Sequence, residues 1–233
     1  MGDDVGAHAG TSGQERRQAI VLTGGDAAAP GLGRLLPLGA YVIAADSGLE
    51  QAPCLGLGVD LAVGDFDSVR PEVLAAAQLA GCRIERHPAA KEHTDLELAL
   101  LAAQWWGAER VVVVGGHGGR LDHLLANALV LAGASTEGME VEALMGPARL
   151  GVVRPGAPYT LCGEDSRGEA PQVVTLLALG GPALGVRTAG LRYPLLGEDL
   201  HPGSTRGVSN EMDAVEASVA IQGGSLLVVR PGW

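Results

Sequence analysis

One change of rhythm constrains this chain more than any other feature. From about Gln18 to Leu144, short aliphatic runs alternate with helical patterns. The strand candidates are Ala19–Leu22, Tyr41–Ala45, Leu61–Val63, Arg83–Glu85, Arg110–Val114 and Glu140–Leu144. Several are unbroken β-branched or aliphatic runs, as strands buried on both faces require. Between them lie helix candidates near Gly31–Leu38, Ser47–Gly56, Pro71–Ala80, Asp95–Trp106 and Leu121–Ala132. Such alternation predicts a parallel sheet with helices on both sides. After Gly146–Pro147 the helical period fades. Strand-like runs follow at Leu150–Val153, Gln172–Leu179, Ala183–Thr188, Asp213–Ile221 and Ser225–Arg230, punctuated by Gly and Pro. The expectation is a Rossmann-like α/β domain over 18–146 and a small all-β sandwich over 147–233. Residues 1–17 read as a disordered lead-in.

Composition narrows the function. The 233 residues carry a formal net charge of -11, which excludes a general nucleic-acid binder with a basic surface. A nucleotide stays possible, because Mg2+ can sit between a phosphate chain and carboxylates. No run approaches the ~18–20 apolar residues of a membrane span. The N-terminus lacks the basic start and apolar stretch of a secretory signal, so a cytoplasmic chain is expected. Cys54, Cys82 and Cys162 are scattered, with no C-x-x-C pair, and read as buried small hydrophobes in a reducing compartment. Lys91 is the only lysine and Phe66 the only phenylalanine.

Open α/β sheets bind ligands at the carboxyl ends of their strands. Asp46, Asp65, Asp67, Asp95 and Asp122 all fall at or just beyond such ends. Asp95 and Asp122 also suit helix N-termini, where a carboxylate caps and meets the dipole. Asp65 and Asp67, in Gly64-Asp65-Phe66-Asp67-Ser68, repel one another unless a cation lies between them. Mg2+ takes one or two carboxylates plus substrate phosphates, so this set suits one or two such ions. Thr23-Gly24-Gly25 and Gly115-Gly116-His117-Gly118-Gly119 let backbone approach phosphate, though neither is a P-loop or a G-x-G-x-x-G turn. Arg120 and Lys91 are the nearest cations, and Arg120 can grip phosphate oxygens. His123 and His93 lie beside the motifs. Thr94 and Glu97 form a T-x-x-E capping box at the helix from Asp95.

Six stretches then line up in order: Ala45-Asp46-Ser47-Gly48, Gly64 to Ser68, Lys91 to Glu97, Gly118 to His123, Gly190 to Leu195 and Gly207 to Glu211. Their order and spacing resemble the thiamine pyrophosphokinase (thiamine diphosphokinase) family, over nearly the whole chain from Ile20. The resemblance implies an α/β domain followed by a β-sandwich. It also implies a homodimer with active sites between subunits, and the reaction ATP + thiamine → AMP + thiamine diphosphate. Asp46, Asp65, Asp67, Asp95 and Asp122 then serve the Mg2+–ATP site, with Gly24, Gly25, Gly116, Gly119, Lys91, Thr94 and Arg120 around the nucleotide. Asp67, Asp95 and Arg120 are the catalytic candidates, and Ser209 and Asn210 lie in the thiamine region. Ser47 replaces the family's usual Gly and Glu92 its usual Asp. Aromatic content is 3%, which leaves Trp233 as the one stacking candidate. Two other readings compete: a diphosphokinase for another small alcohol, such as a hydroxymethylpterin, and a non-catalytic nucleotide- or thiamine-binding regulator.

Overall fold

A computed structural model describes residues 16–90, 92–163 and 172–232. Lys91, Trp233 and most of the 1–17 lead-in lie outside the described residues. Six parallel strands open the chain: β1 (Gln18–Leu22), β2 (Tyr41–Ala45), β3 (Leu61–Gly64), β4 (Arg83–Arg86), β5 (Arg110–Val114) and β6 (Glu140–Met145). Their order in the sheet is β4-β3-β2-β1-β5-β6. The central strands are buried on both faces, which is why they read as unbroken aliphatic runs. The crossovers carry α1 (Ala52–Leu55), α2 (Pro71–Leu79), α3 (Asp95–Trp106) and α4 (Leu121–Val130).

Local chemistry sets the helix ends. Pro71 occupies the first turn of α2, where its missing N–H is no loss. Thr94 caps α3 by accepting from the Glu97 N–H at 3.2 Å. The reciprocal half of the capping box is not made: the Glu97 carboxylate lies 3.2 Å from His93 Nδ1 instead. Two expected helices shrink. Gly31–Leu38 contains only a 3-10 turn at Leu32–Leu35, entered through Gly31 at φ 86°. Ser47–Gly56 becomes a 3-10 stretch over Asp46–Gln51 followed by α1, which Gly56 ends at φ 70°.

Among the described residues every regular element beyond Thr136 is a strand. Residues 146–147 form a tight hairpin turn, with Met145 opposite Ala148, so β7 (Ala148–Val153) returns antiparallel to β6 without a crossover helix. The sheet then continues through β13 (Gly223–Pro231) and β9 (Val173–Ala189) to β12 (Glu216–Ala220) and β8 (Tyr159–Cys162). β10 (Leu196–Leu200) and β11 (Asn210–Glu211) add to β9. Two separate strands were expected where β9 runs unbroken. Its first half pairs with β13 and its second with β12, about the Gly180-Gly181-Pro182 stretch. Folding at that point encloses a core of Val153, Leu176, Val186, Val219, Leu226 and Val228.

The two parts share a sheet rather than meeting across a gap. Leu227 and Leu177 face the core under α3, while their neighbours Leu226 and Leu176 face the second core. Period-two alternation thus lets the same strands serve both layers. Among the described residues no helix is long and apolar enough to cross a membrane.

Candidate active site

The turn after β2 places Asp46. Its φ of 44° is unusual for a residue with a side chain. Gly48 makes the turn possible, since a Cβ there would sit 2.2 Å from the Leu22 carbonyl oxygen. The turn after β3 places Asp65 and Asp67. Phe66 between them has φ 62° and is buried in a core of the parallel-sheet part with Ala62, Val69 and Leu74. The Arg86 guanidinium lies 5.2 Å from the centroid of its ring. Within this turn the Asp67 N–H donates to Asp65 Oδ1 at 3.2 Å, and the Ser68 hydroxyl donates to Asp67 Oδ1 at 2.8 Å. The only phenylalanine therefore anchors the loop while both flanking aspartates line a cavity.

That cavity, about 750 Å³, opens at the carboxyl ends of the parallel strands. Asp46, Asp65 and Asp67 each bring a carboxylate oxygen within 4.8 Å of the others. Asp95 joins them from the start of α3, its Oδ1 about 3.2 Å from where a Gly64 Cβ would lie. Asp46 Oδ1 is buried with no hydrogen-bond partner. Burial pushes the Asp46 carboxyl above its ordinary range, and the charges of Asp95, Asp65 and Asp67 push the same way, against a hydrogen bond from the Ser47 backbone. An orphaned carboxylate oxygen among hard oxygen donors fits a divalent cation of the Mg2+ kind. Asp46, Asp65 and Asp67 are the residues that would hold it.

The glycine loops interlock beside this cluster. The Gly116 N–H donates to the Gly24 carbonyl at 2.7 Å. A Cβ on Gly25 would lie 2.2 Å from the His117 carbonyl oxygen, and one on Gly115 would lie 2.3 Å from that of Thr23. Their first physical role is close approach of two backbones. Thr23, Gly24, Gly25, Gly116 and Gly118 then line the cavity.

The structure sorts the other candidates. Thr94, His93, Arg120 and His123 line the cavity. Gly119 and Asp122 do not. Asp122 is exposed on the first turn of α4, where Arg120 holds it at 3.2 and 2.5 Å and keeps its carboxyl below the ordinary range. The predicted fifth metal ligand is thereby set apart from the other four aspartates, since its charge is met by an arginine two residues away. Ser209 and Asn210 lie outside the cavity lining. Ser209, at φ 56°, donates its N–H to the Thr175 hydroxyl. Asn210 is 3% exposed; its amide donates to the Tyr193 carbonyl at 2.8 Å and accepts from the N–H groups of Tyr193 and Glu211 at 3.0 and 2.9 Å.

Four polar lining residues were given no side-chain role from the sequence: Thr23, Ser47 and Ser68, which stand inside quoted motifs, and Asn127, which does not. Asn127 carried a usable signal, lying four residues after His123 on one flank of α4. Ser47 stood out only as a departure from the family's usual Gly; its approach to Gly24 depends on two strands meeting, which spacing does not show. A second cavity, about 840 Å³ and lined mainly by apolar residues of α1 and α2, includes Ala40, Asp60 and Cys82. Those residues precede β2, β3 and β4, so it opens at the opposite end of the strands and holds no carboxylate cluster.

The fold and site define a mixed α/β protein with a cavity lined by aspartates and glycine loops at the ends of its parallel strands. The family model for "Thiamin pyrophosphokinase, catalytic domain" matches residues 33–143, and that for "Thiamin pyrophosphokinase, vitamin B1 binding domain" matches residues 165–227. The two segments take in well over half of the chain, and the chain belongs to the thiamin pyrophosphokinase family. It is 25% identical to the thiamine pyrophosphokinase of Bacillus subtilis (strain 168) over 169 residues, 72% of this chain and 77% of that protein. The crystal structure of thiamine pyrophosphokinase from Bacillus subtilis superposes with a TM-score of 0.79 at 22% identity, over 93% of this chain and all of the other. That of the Geobacillus thermodenitrificans thiamin pyrophosphokinase gives 0.75 at 25% identity, over 93% and 98%.

Proposed function

We propose that this chain is an ATP- and Mg2+-dependent thiamine diphosphokinase. It transfers the β,γ-pyrophosphoryl group of ATP to the thiamine hydroxyl, giving thiamine diphosphate and AMP. The observation that carries the reading is the Asp46–Asp65–Asp67 cluster, with its orphaned buried oxygen, inside a cavity walled by interlocked glycine loops.

In this reading the hydroxyl oxygen of thiamine bonds to the β-phosphorus. The bond from that phosphorus to the oxygen bridging toward the α-phosphate breaks, and AMP leaves with that oxygen. Mg2+, when bound, neutralises charge on the phosphates. Asp46, Asp65 and Asp67 hold it, and the rigid Phe66 anchor keeps two of them in place. Asp95 or Asp67 accepts the hydroxyl proton. Arg120 brings positive charge to the transferring group, which requires it to loosen from Asp122. The backbone of Gly24, Gly25 and Gly116 lies against the phosphates, with Thr94 beside them.

Residues 18–146 act as the nucleotide part and 147–233 as the thiamine-binding and dimer-forming part. The described cavity ends at Asn127 in sequence and contains nothing from the segment matched by the vitamin B1 binding model. A homodimer that brings this segment of one copy to the cavity of the other completes the site. Cys54, Cys82 and Cys162 are unpaired, which suits a reducing compartment such as the cytoplasm, but only Cys82 is buried as expected, Cys54 and Cys162 being exposed.

The test is AMP formation by purified protein with ATP, Mg2+ and thiamine, beside a tube holding a hydroxymethylpterin instead. AMP that depends on thiamine is expected. AMP only with the pterin keeps the site and removes the substrate. Folded protein that binds ATP and releases no AMP in either tube makes it a regulator.

A further inference from the structure

Gln51 is 6% exposed, one of the few polar side chains that the fold buries. It closes the 3-10 stretch that begins at Asp46. Both ends of its amide are engaged by a single loop, as a buried amide requires. Its Oε1 accepts from the Ala28 N–H and its Nε2 donates to the Asp26 carbonyl, each at 3.0 Å. That loop follows β1 and brings Gly24 and Gly25 to the aspartate cavity. From residue 25 to residue 31 it contains no buried residue, so it has no apolar core of its own to seat it. On its other side the Asp26 N–H donates to the His117 carbonyl at 2.8 Å. The backbone at Asp26 is thus held between Gln51 and the glycine loop that follows β5. Glu50, one residue earlier, reaches the other way. Its Oε1 accepts from the backbone N–H and the Nε of Arg70, both at 3.1 Å, and Arg70 stands between the Asp65–Asp67 turn and α2.

We infer that Gln51 is a positioning residue for the nucleotide. It ties the glycine loop after β1 to the turn that carries Asp46, and so fixes the gap between the loop backbone and the carboxylates. This rests on the reading above, in which a triphosphate and its cation occupy the cavity. Such a ligand meets both sides at once, its oxygens against the loop and its cation against the aspartates. Gln51 touches neither, because it is not part of the lining. A loop held in place before the ligand arrives costs less to order when it binds. Glutamine suits the task, since one planar group offers the acceptor that the Ala28 N–H needs and the donor that the Asp26 carbonyl needs. The loop lies at the surface, so water can take over its freed backbone groups. Loss of the clamp is therefore felt in the position of the loop more than in the stability of the fold.

The experiment compares the unsubstituted protein with Gln51→Met, Gln51→Asn and Gln104→Leu. Methionine keeps the shape without the amide, and asparagine keeps an amide one carbon too short to reach. Gln104→Leu is the control: it removes an amide that donates to the Ala134 and Glu137 carbonyls near the other end of α3. Amide hydrogen exchange is followed at Ala28 without ligand, Mg2+-ATP binding by equilibrium dialysis, and AMP formation against ATP concentration. The Ala28 N–H should exchange slowly in the unsubstituted protein and the control, and as fast as a free amide in both Gln51 variants. Those variants should bind Mg2+-ATP roughly 10-fold more weakly. Their KM for ATP should rise in step while kcat at saturating ATP stays within about twofold, the split that marks lost binding rather than lost chemistry. Fast exchange at Ala28 in the unsubstituted protein would overturn the inference. So would unchanged Mg2+-ATP binding in the folded Gln51 variants, an equal loss in Gln104→Leu, or failure of both Gln51 variants to fold. Weaker Mg2+-ATP binding in the Gln51 variants, with no thiamine-dependent AMP from any protein, would uphold the clamp and remove the substrate assignment instead. An unsubstituted protein that binds no Mg2+-ATP would remove both.

Discussion

In the α/β part, Asp46 keeps a buried carboxylate oxygen with no protein partner, beside two more carboxylates on the turn after β3. In the β part, Asn210 is more deeply buried, yet both ends of its amide are engaged by the backbone of Tyr193 and Glu211. Each residue sits in a motif picked out by the same family resemblance. An unpartnered buried charge costs stability and persists where something binds it, whereas a paired buried amide holds backbone in place. The difference separates a carboxylate cluster suited to a cation from a clamp that shapes a surface. Asn210 fixes Tyr193 in the 190–195 loop, so its contribution to any ligand runs through that loop.

The sharpest break of this comparison is Asp67→Asn. It should lower AMP formation by ~10²-fold or more while leaving the fold intact, the scale seen when a charge-stabilising group is removed. Near-normal turnover would take Asp67 out of the chemistry. Asp46→Asn should also abolish turnover but move stability the other way. A carboxyl whose folded pKa is raised binds its proton more tightly in the native state than in the unfolded chain. Its penalty is therefore absent below the ordinary Asp range and grows as pH rises through the raised folded value. Above that window the metal-free variant should melt higher than the unsubstituted protein. Added Mg2+ should raise the melting temperature of the latter and not of the variant. An Asp46→Asn protein that melts lower at neutral pH would contradict the orphaned-charge account.

Asn210→Ala tests the other side. Its loss strands backbone groups of Tyr193 and Glu211 and should cost about 2–3 kcal/mol in denaturant unfolding. Mg2+-ATP binding at the distant aspartates should stay unchanged, and a loss there would mean that the two regions are coupled more directly than their shared sheet requires. The smallest effect belongs to Arg192→Ala, which breaks an exposed pair with Glu211 at 2.6 Å. It should leave the unfolding midpoint nearly unchanged in denaturant titration, and any difference should shrink as salt is added.

The parallel strands and α3 were legible because their causes are local. Tyr41–Ala45, Arg110–Val114 and Asp95–Trp106 occur at the predicted bounds, set by unbroken aliphatic runs and by the Thr94 cap. The β part was read less completely. Tyr159–Cys162 and Leu196–Leu200 went unrecognised as strands, because both are short and interrupted and owe their pairing to β12 and β9. Tyr159 also needs Gly151 across the layer, since a Cβ there would lie 2.2 Å from its hydroxyl oxygen. Such long-range fits leave no trace in spacing.

By itself, then, the order of residues determined that carboxylates would gather at the ends of parallel strands, because strand, turn and cap are written in runs of a few residues. Only the tertiary structure decided which of them meet. Asp46, Asp65, Asp67 and Asp95 converge because β2 and β3 are neighbours and α3 starts over them. Asp122 stays out because Arg120, two residues away, satisfies its charge on an exposed turn. Convergence depends on which strands lie side by side, and no local pattern encodes that.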